Sequence, residues 1–546
     1  MSVETEQFDV VIIGGAMSGA ASALLLKRQR PELRVLILEK SKVFGRRVGE
    51  ATVEVSTYFL TKILGLTTYL NESHLVKQGM RFWFFNDQTR SLDECAEVGG
   101  RMLSRLISFQ VDRARLDQEV LDRAVAAGAI LWRPAEVAKV ELNAGGEQKI
   151  EVRCEGQARS IQARWVVDAS GVAALLARRN GWFRQNNEHP TAAAWSRWRG
   201  VKDWDGYELA KKYPRWQQAC FGIRSTATNH MVGDGWWAWF IPLKGGDTSV
   251  GVVIDQRLAQ LPEEGQIGDR IKTFLSHHPL SRELLADAQW EEGDVHWRKN
   301  LPYCSAVFAG DGFALVGDAA AFLDPLYSPG LDWVAFTTMC AARLILTQQK
   351  GEPLATLIEE HNRKFSNSYR RWFRAIYKDK YEYMGEFDLM RLAFVMDIGL
   401  YYTGVVSQPY RRGPESFYQP IFSTVPSMPF YWLMRTYNRR FAAMARDRRR
   451  RNARGVRNAN RRFLFPGFSF ALPTQLRIVR ALAFWWKLEL TEGWRTWFRR
   501  EENGLGLRLG LGTETSSSSP NLNLNLNPNP NRNPNPSIPN PAQPVQ

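Results

Sequence analysis

The sequence predicts an α/β protein with a parallel sheet at its start, an antiparallel sheet in its middle and a mostly helical C-terminal region. The β-branched run Asp9–Ile13 predicts the first sheet, because a glycine-rich turn and a helix of small residues follow it. Residues 180–287 predict the second, since they are rich in tryptophan and alternate in places like antiparallel strands. The pattern from Phe336 to about Arg500 is mostly helical.

The turn after the first strand has the layout of a dinucleotide site. It consists of Gly14, Gly15, Ala16, Met17, Ser18 and Gly19 and opens a helix, and the next apolar run ends in Glu39. In this layout the pyrophosphate lies on the helix N-terminus, where free N–H groups and the helix dipole attract it, and the acid binds the ribose hydroxyls. Ala16 replaces the middle glycine and still permits a close backbone approach. The layout predicts bound FAD or NAD.

Two later strand ends favour FAD. An apolar strand closes in Asp168-Ala169-Ser170-Gly171, which gives a second backbone approach to the cofactor. Another closes in Gly317-Asp318, where Asp318 is placed to hold polyol hydroxyls. The turn Ser328–Gly330 then offers backbone donors to a flavin ring edge or an anion. We therefore predict a Rossmann-type FAD-binding fold rather than a simple NAD dehydrogenase.

The segment after Glu39 is predicted to lie beside the nucleotide. Arg46 and Arg47 are candidates to neutralise phosphate, and the turn at Gly49-Glu50 presents backbone to the cofactor. The alternative is an exposed basic loop. Further along, a helix is predicted over Gln118–Ala127, with Gly128 at its end.

Lys77 and a tryptophan strand are the remaining candidate site residues. Lys77 opens a predicted strand that continues into Phe82-Trp83-Phe84-Phe85, and burial among aromatic rings lowers the pKa of a lysine, so that it can act as donor, base or nucleophile. The alternative is a surface lysine with a buried stem. Trp237, Trp239 and Ile241 share one strand face and are predicted to form a packed wall.

Composition and charge narrow the class of protein. The five cysteines lie far apart, which argues against a disulfide framework or a metal site and predicts a reducing, cytoplasmic location. Between Arg435 and Arg462 there are twelve arginines and one acid, so +11 of the net +16 is local. A solvated helix, a membrane-surface patch or an acidic-partner site each fits this segment, whereas no motif indicates nucleic-acid binding.

The predicted domains follow these patterns along the chain. They are an FAD-binding part with the Lys77 region (1–179), an antiparallel-sheet substrate region (180–300), a second FAD-binding part (301–340), a helical region (341–502) and a disordered tail (503–546).

Together these motifs resemble those of the flavin-dependent, tryptophan-type halogenases. The resemblance covers roughly residues 8–340, and Trp237-x-Trp239-x-Ile241-Pro242 is its most specific part. It implies an aromatic-hydroxylase-like FAD fold and places further cofactor contacts at Val48, Glu50, Ala51, Arg113, Pro325, Gly330 and Leu331.

The resemblance also implies a mechanism. Reduced FAD activates oxygen, chloride or bromide binds near Ser328 and Gly330, and hypohalous acid travels to Lys77, which delivers halogen to an electron-rich aromatic substrate. The wall of Trp237 and Trp239 keeps substrate away from the flavin. No second dinucleotide motif follows a strand, so we expect a separate flavin reductase as partner.

Two departures from the family pattern bear on the activity. Tyr327 stands where halogenases of free tryptophan have glutamate, which favours a phenolic or pyrrole substrate, free or bound to a carrier protein, in secondary metabolism. Pro329 has no N–H to give to a halide. The alternative functions are an FAD-dependent monooxygenase or oxidoreductase that incorporates no halide, and a non-catalytic flavoprotein or membrane-associated partner.

Overall fold

The computed structural model describes residues 5–221 and 224–498, and the predicted disordered tail lies outside them. The chain up to Thr496 forms one unit. Its strands are β1 (Thr5–Ile13), β2 (Val35–Leu38), β3 (Leu75–Lys77), β4 (Met80–Phe84), β5 (Ala96–Gly100), β6 (Ser108–Gln110), β7 (Ile130–Trp132), β8 (Ala135–Glu141), β9 (Gln148–Cys154), β10 (Gln157–Asp168), β11 (Phe183–Gln185), β12 (Thr191–Arg199), β13 (Thr228–Gly233), β14 (Trp236–Pro242), β15 (Thr248–Asp255), β16 (Gln289–Arg298), β17 (Tyr303–Ser305), β18 (Ala309–Gly310), β19 (Phe313–Leu315), β20 (Ala321–Phe322) and β21 (Arg462–Phe465).

The α-helices carry much of the second half of the chain. They are α1 (Met17–Gln29), α2 (Glu54–Tyr58), α3 (Thr67–Ser73), α4 (Arg113–Ala126), α5 (Leu175–Arg179), α6 (Tyr207–Lys212), α7 (Pro214–Gln217), α8 (Ile267–Ser276), α9 (Pro279–Leu284), α10 (Gly330–Gln349), α11 (Ala355–Trp372), α12 (Phe387–Tyr401), α13 (Ser407–Arg412), α14 (Met428–Arg450) and α15 (Leu472–Thr491).

The first sheet is the predicted parallel sheet. Its strand order is β18-β19-β10-β1-β2-β7, and β1 runs parallel to both β2 and β10. The strands β8 and β9 extend from β10 in antiparallel pairings. All four residues of β2 are buried, as expected for a parallel strand covered on both faces.

The second sheet is mixed, with the order β16-β12-β15-β14-β13-β4-β5-β21. Its centre, β12 to β15, is antiparallel as predicted, whereas β4 joins β13 in parallel. Residues of β14 alternate between two cores: Trp237, Trp239 and Ile241 pack towards one, and Ala238 and Phe240 towards the other. The predicted shared face of the tryptophan strand is therefore confirmed.

Three local predictions were wrong in their boundaries. Helix α4 begins at Arg113 rather than Gln118, because the Asp112 side chain accepts hydrogen bonds from the Ala114 and Arg115 amides and caps it. Lys77 ends the short strand β3 instead of opening the aromatic strand β4. The C-terminal region also contributes a strand, β21, parallel to β5.

One helical stretch among the described residues, Phe387–Arg412, has the length and apolar composition of a membrane span. Most of it is buried within the fold, as is usual for a core helix of this kind.

Candidate functional site

The loops predicted to hold the cofactor meet at one edge of the first sheet. The strands β1, β10 and β19 end there side by side, since the Ala169 amide donates to the Ile13 carbonyl at 2.9 Å and the Val316 amide to the Asp168 carbonyl at 2.9 Å. The carboxyl ends of parallel strands form the crevice in which nucleotides bind in such folds.

Three glycines of this edge have no space for a side chain. A Cβ on Gly19 would lie 1.9 Å from the Gly14 carbonyl oxygen, and one on Gly14 would lie 2.5 Å from that of Ala169. Gly14 also has a φ of 104°, a conformation that favours glycine. A Cβ on Gly317 would lie 2.3 Å from Ser18 Oγ. The close approach of turn, strand and helix N-terminus fits a cradle for pyrophosphate.

Glu39 is fixed at the end of β2. Its carboxylate is buried and accepts hydrogen bonds from the Gly15 amide and the Ser41 amide, both at 2.8 Å. The turn and the acid are thus held together as the ribose-binding layout requires.

The loop after Glu39 is tied to the second sheet. Arg197 of β12 donates to Glu50 at 2.6 Å and to Asp294 at 2.7 Å. Burial raises the pKa of Glu50 to about 7, although the Arg197 charge opposes this. Arg46 is paired with Asp247 at 3.1 Å, so its guanidinium is shared with acids of the second sheet.

Arg113 and the Gly49 turn lie in contact. The Arg113 guanidinium is paired with Asp117 at 3.0 Å and donates to the Val48 carbonyl at 3.3 Å. Ala51 forms a bridge with Gln110 next to it. These contacts bring the predicted loop residues against the start of α4.

The two predicted aspartates differ in their surroundings. Asp168 accepts from the Ser170 amide at 3.0 Å and from the Leu176 amide at 2.7 Å, so its carboxylate organises the turn. Asp318 follows β19 and is partly exposed, with the charge of Arg113 opposing the rise that burial causes in its pKa. Asp318 is the one of the two that is open to a ligand.

The turn before α10 is strained. Tyr327 and Ser328 have φ values of 67° and 57°, unusual for residues with side chains and frequent at functional sites. The Ser328 amide donates to the Pro325 carbonyl at 3.0 Å, which removes one predicted donor. Gly330 and Leu331 begin the helix, and a Cβ on Gly330 would meet no atom within 4 Å. Their amides belong to the first turn of α10, where a helix N-terminus can attract an anion.

The tryptophan wall is linked to this turn through polar contacts. Trp237 Nε1 donates to the Tyr381 hydroxyl at 2.7 Å, and that hydroxyl donates to Asp324 at 3.0 Å. His189 contacts the same carboxylate at 2.9 Å. Trp239 donates to Ser249 at 3.1 Å. Sequence reasoning predicted only packing for Trp237, because its partner Tyr381 lies far along the chain.

Lys77 is buried on the other side of the turn region. Its side chain is 2% exposed, and its ammonium donates to the Thr52 carbonyl at 2.8 Å. Burial lowers the pKa of Lys77 to about 8, while the charges of Glu54 and Asp332 act in the opposite direction. The predicted buried lysine is therefore present, with an amine that is partly neutral near physiological pH.

A pocket lies between the strained turn and the residues that follow β3. Eight of its 22 lining residues are aromatic, and three carry carboxylates. The lining comprises Val53, Glu54, Gln78, Gly79, Met80, Gly100, Met102, Ser104, Tyr327, Pro329, Asp332, Trp372, Ile376, Tyr377, Phe394, Asp397, Ile398, Tyr401, Tyr402, Phe465, Gly467 and Phe468.

Two of these carboxylates, Asp332 and Glu54, accept hydrogen bonds from residues of neighbouring helical segments. Asp332 accepts from the Ser56 amide at 2.8 Å and from the Tyr401 hydroxyl at 2.8 Å, and burial raises its pKa to about 7. Glu54 accepts from the Tyr402 hydroxyl at 2.5 Å. The pocket thus has hydroxyl and carboxylate groups around an apolar wall, as small-molecule sites usually do.

Behind Tyr327 lies a buried polar cluster that sequence reasoning missed. Asp397 accepts from Lys380 at 2.6 Å, from the Tyr327 hydroxyl at 3.0 Å and from the Tyr437 hydroxyl at 2.5 Å. Lys380 also donates to the Tyr383 hydroxyl at 2.6 Å. The cluster joins α12 and α14 to the strained turn.

The arginine-rich segment is largely paired within the protein. Arg448 contacts Glu386 at 2.9 Å, Asp388 at 2.7 Å and Glu492 at 2.6 Å. Other ion pairs of this segment join Arg440 to Glu489, Arg449 to Glu382 and Asp234, Arg451 to Asp447 and Glu492, Arg454 to Asp234, and Arg457 to Asp388. The local charge of +11 is therefore much reduced by acids from elsewhere in the chain.

In residues 5–221 and 224–498, no group of three or more histidine, cysteine or acidic side chains is arranged to hold a metal ion. The five cysteines are free thiols, four of them buried.

The comparisons with known proteins agree with this geometry. A family model described as FAD dependent oxidoreductase matches residues 9–235. The chain is 25% identical over 376 residues to a flavin-dependent halogenase of Dictyostelium discoideum, covering 62% of this chain and 60% of that protein. It is 27% identical to the 1H-pyrrole-2-carbonyl-[peptidyl-carrier protein] chlorinase of Pseudomonas fluorescens, covering 68% and 82%.

The matches span 60% and 66% of the first two curated relatives, so the chain aligns with about three fifths to two thirds of their length. Among solved structures, halogenase PltM in complex with phloroglucinol and FAD is similar with a TM-score of 0.69 and 19% identity, covering 87% of this chain and 96% of that one. The chondrochloren halogenase CndH gives 0.59 and 23%, covering 79% and 97%. The predicted resemblance and fold are confirmed: the chain is similar in sequence to flavin-dependent halogenases, and it has the fold of solved FAD-dependent halogenases.

Proposed function

We propose that this protein is a flavin-dependent halogenase that uses reduced FAD, oxygen and chloride or bromide to halogenate an electron-rich aromatic substrate in secondary metabolism. The observation that carries the proposal is the buried Lys77, whose neighbour Gln78 lines a pocket that also reaches Pro329 and Asp332 at the start of α10. In this arrangement a halide would bind at the α10 N-terminus, and the amine of Lys77 would act at a different place.

The residues fit FAD at the sheet edge described above. Gly14–Gly19 would hold the pyrophosphate, Glu39 the ribose, Asp318 the polyol chain and the α10 N-terminus the ring edge. Reduced FAD supplies the electrons for activating oxygen. The Gly330 and Leu331 amides would hold the halide, since the helix dipole favours an anion there.

Lys77 would hold the hypohalous acid or accept its halogen. The protonated amine donates a hydrogen bond to hypohalous acid. The neutral amine, which burial favours, can instead take its halogen: the O–halogen bond breaks, and the hydroxide leaves with an amine proton as water. A ring that gains halogen must lose a proton, and Asp332 on the pocket wall would accept it. Trp237 and Trp239 would exclude substrate from the flavin side.

The pocket wall favours a flat apolar ring. Tyr377, Phe394, Tyr401, Phe465 and Phe468 line it, and aromatic side chains pack well against such a ring. A phenolic or pyrrole substrate also agrees with the pyrrole chlorinase and the phloroglucinol complex among the relatives. The substrate would be free or bound to a carrier protein, and a separate flavin reductase would supply the reduced FAD. The free cysteines fit a cytoplasmic location.

A monooxygenase that incorporates no halide is the second candidate. Pro329 has no N–H, and the Ser328 amide already donates to the Pro325 carbonyl. Neither residue therefore offers a backbone donor to a halide.

Turnover with bromide tests the two candidates. The full chain is supplied with FAD, a flavin reductase and NADH, and incubated with phloroglucinol or pyrrole-2-carboxylate, and products are analysed by mass spectrometry. The proposal predicts the isotope pattern of bromine in the product. Oxygenated product that contains no halogen would establish the monooxygenase instead.

A further inference from the structure

Helix α15 carries an exposed apolar stripe that the reaction does not use. Its members recur every three or four residues, and they are Leu472, Leu476, Val479, Ala483, Trp486 and Leu490. This spacing confines them to an arc of roughly 80° on one face of the helix. Leu472, Val479, Trp486 and Leu490 are each more than 60% exposed. Trp494, in the 3₁₀ turn Gly493–Thr496 that follows, is 50% exposed.

The opposite face of α15 anchors the helix. Ile478 packs on Gly399 of α12, where a Cβ would lie 2.7 Å from the Ile478 side chain. The Trp485 ring lies 6.2 Å from that of Tyr437 in α14. The helix is therefore held in one orientation, and its apolar stripe faces away from the core.

The charges beside the stripe have one sign. Arg480 and Lys487 are exposed along one edge, whereas Glu489, the acid of this helix, is 5% exposed and paired with Arg440 at 2.7 Å. Every exposed ionisable side chain of Leu472–Thr491 is thus cationic. A flat apolar stripe with cations and indole rings matches a lipid surface that contains anionic headgroups.

We propose that α15 docks on the surface of an anionic lipid bilayer, with its apolar stripe in the interfacial region and Arg480 and Lys487 on the headgroups. The complementary charge favours this partner over a second copy of the chain, because two such faces would bring like charges together with no acid to pair them. The docking face is α15, and the internally paired segment Arg435–Arg462 is not required for it.

The pocket lies close to this face. Gly467 and Phe468 of its wall precede α15 in the chain, and Ile398 of its wall belongs to α12, on which α15 packs. Docking would therefore bring this side of the pocket near the bilayer. The docking itself does not depend on the reaction proposed above.

Vesicle sedimentation tests the proposal on the full chain. Vesicles of phosphatidylcholine with about one third phosphatidylglycerol represent the anionic surface, and pure phosphatidylcholine serves as reference. We expect binding to the anionic vesicles at low salt and several-fold weaker binding to the neutral ones or at high salt. The double variant Val479→Asn with Trp486→Gln should lose at least about tenfold in partitioning. Arg480→Gln with Lys487→Gln should lose several-fold at low salt.

Two matched control variants distinguish binding through this face from nonspecific binding through other apolar or basic parts of the surface. Tyr207→Gln with Val456→Asn removes equally exposed apolar side chains elsewhere, and Arg450→Gln with Arg461→Gln removes exposed arginines of the basic segment. Both should bind vesicles like the wild type. The proposal is overturned if the wild type does not sediment with anionic vesicles at low salt, or if the stripe variant binds as well as the wild type. It is also overturned if light scattering shows that the stripe instead holds a dimer that ignores lipid.

Discussion

The proposed flavin edge and the proposed substrate pocket of this protein are built in different ways. At the flavin edge, short motifs such as Gly14–Gly19 and the strand ends at Asp168 and Gly317 act through backbone that lies close in space. In the pocket, side chains from α10, α12 and the strained turn meet through long-range contacts such as Tyr327 with Asp397. A nucleotide cradle is thus a local property of the chain, whereas the pocket is a product of tertiary packing.

The largest effect is expected at the flavin edge. Gly19→Val would place a side chain against the Gly14 carbonyl oxygen, 1.9 Å from the Cβ position, and we expect loss of FAD binding by at least about a hundredfold. Gly45→Val is the matched control, because a Cβ there meets no atom within 4 Å. Flavin titration by fluorescence measures both, and circular dichroism checks the fold. Undiminished FAD affinity in Gly19→Val would remove this edge as the binding site.

The buried cluster behind the pocket should respond in stability. Asp397→Asn leaves Lys380 as a buried charge without its carboxylate, which costs about 3–5 kcal/mol in the free energy of unfolding. The exposed pair Lys139–Glu141 offers a control, since Lys139→Gln should change stability by less than about 0.5 kcal/mol. Urea denaturation gives both values. Equal, small effects would show that the cluster does not hold the pocket together.

Lys77 gives the pocket a pH signature. Its pKa in the folded chain, about 8, is lower than the ordinary 10.5, so the folded state disfavours the protonated amine, and this penalty is present in full below pH 8. Lys77→Met should therefore gain stability relative to the wild type near neutral pH, and the gain should shrink by up to about 3 kcal/mol between the two pKa values. Melting temperatures across this pH range measure it. A difference that does not vary with pH would contradict the buried, perturbed amine.

The link between the tryptophan wall and the turn should give the smallest effect. Tyr381→Phe removes the hydroxyl between Trp237 and Asp324 and should cost about 1–3 kcal/mol of unfolding free energy, because the buried Trp237 N–H loses its partner. FAD affinity should stay unchanged. Tyr207→Phe, at an exposed tyrosine, is the control with no expected effect. If Tyr381→Phe and Tyr207→Phe have the same free energy of unfolding, the hydrogen bond does not stabilise the tryptophan wall, and packing alone does.

The contrast between the two regions explains what the sequence could predict. Gly14–Gly19 with Glu39 is a local pattern, and so is the alternation of Trp237 and Trp239, so both could be interpreted from neighbouring residues. Burial of Lys77 was also predicted, although its strand was not, because the turn at Gly79 separates it from the aromatic run. Pairing of Lys380 with Asp397 has no local periodicity and could not be foreseen.

The charge of the basic segment could be counted from the sequence, but its pairing within the fold could not be predicted for the same reason. The segment Arg435–Arg462 was a candidate membrane or partner patch because its own composition is basic. Its partners Glu382, Glu386, Asp388 and Glu492 come from other elements, and only the folded chain brings them to Arg448 and Arg449. The short strand β21 was missed likewise, since a four-residue run in a helical region gives no decisive pattern.

The central claim is that flavin chemistry and halogen transfer occupy separate places, and one paired measurement on Lys77→Met tests it directly. Oxygen-dependent reoxidation of reduced FAD and brominated product are followed together for the wild type, Lys77→Met and the exposed control Lys139→Met. We predict that Lys77→Met reoxidises flavin at the wild-type rate and forms brominated product near background, since such a group contributes about a hundred- to ten-thousand-fold. The control should match the wild type in both. Normal bromination by Lys77→Met would contradict the account.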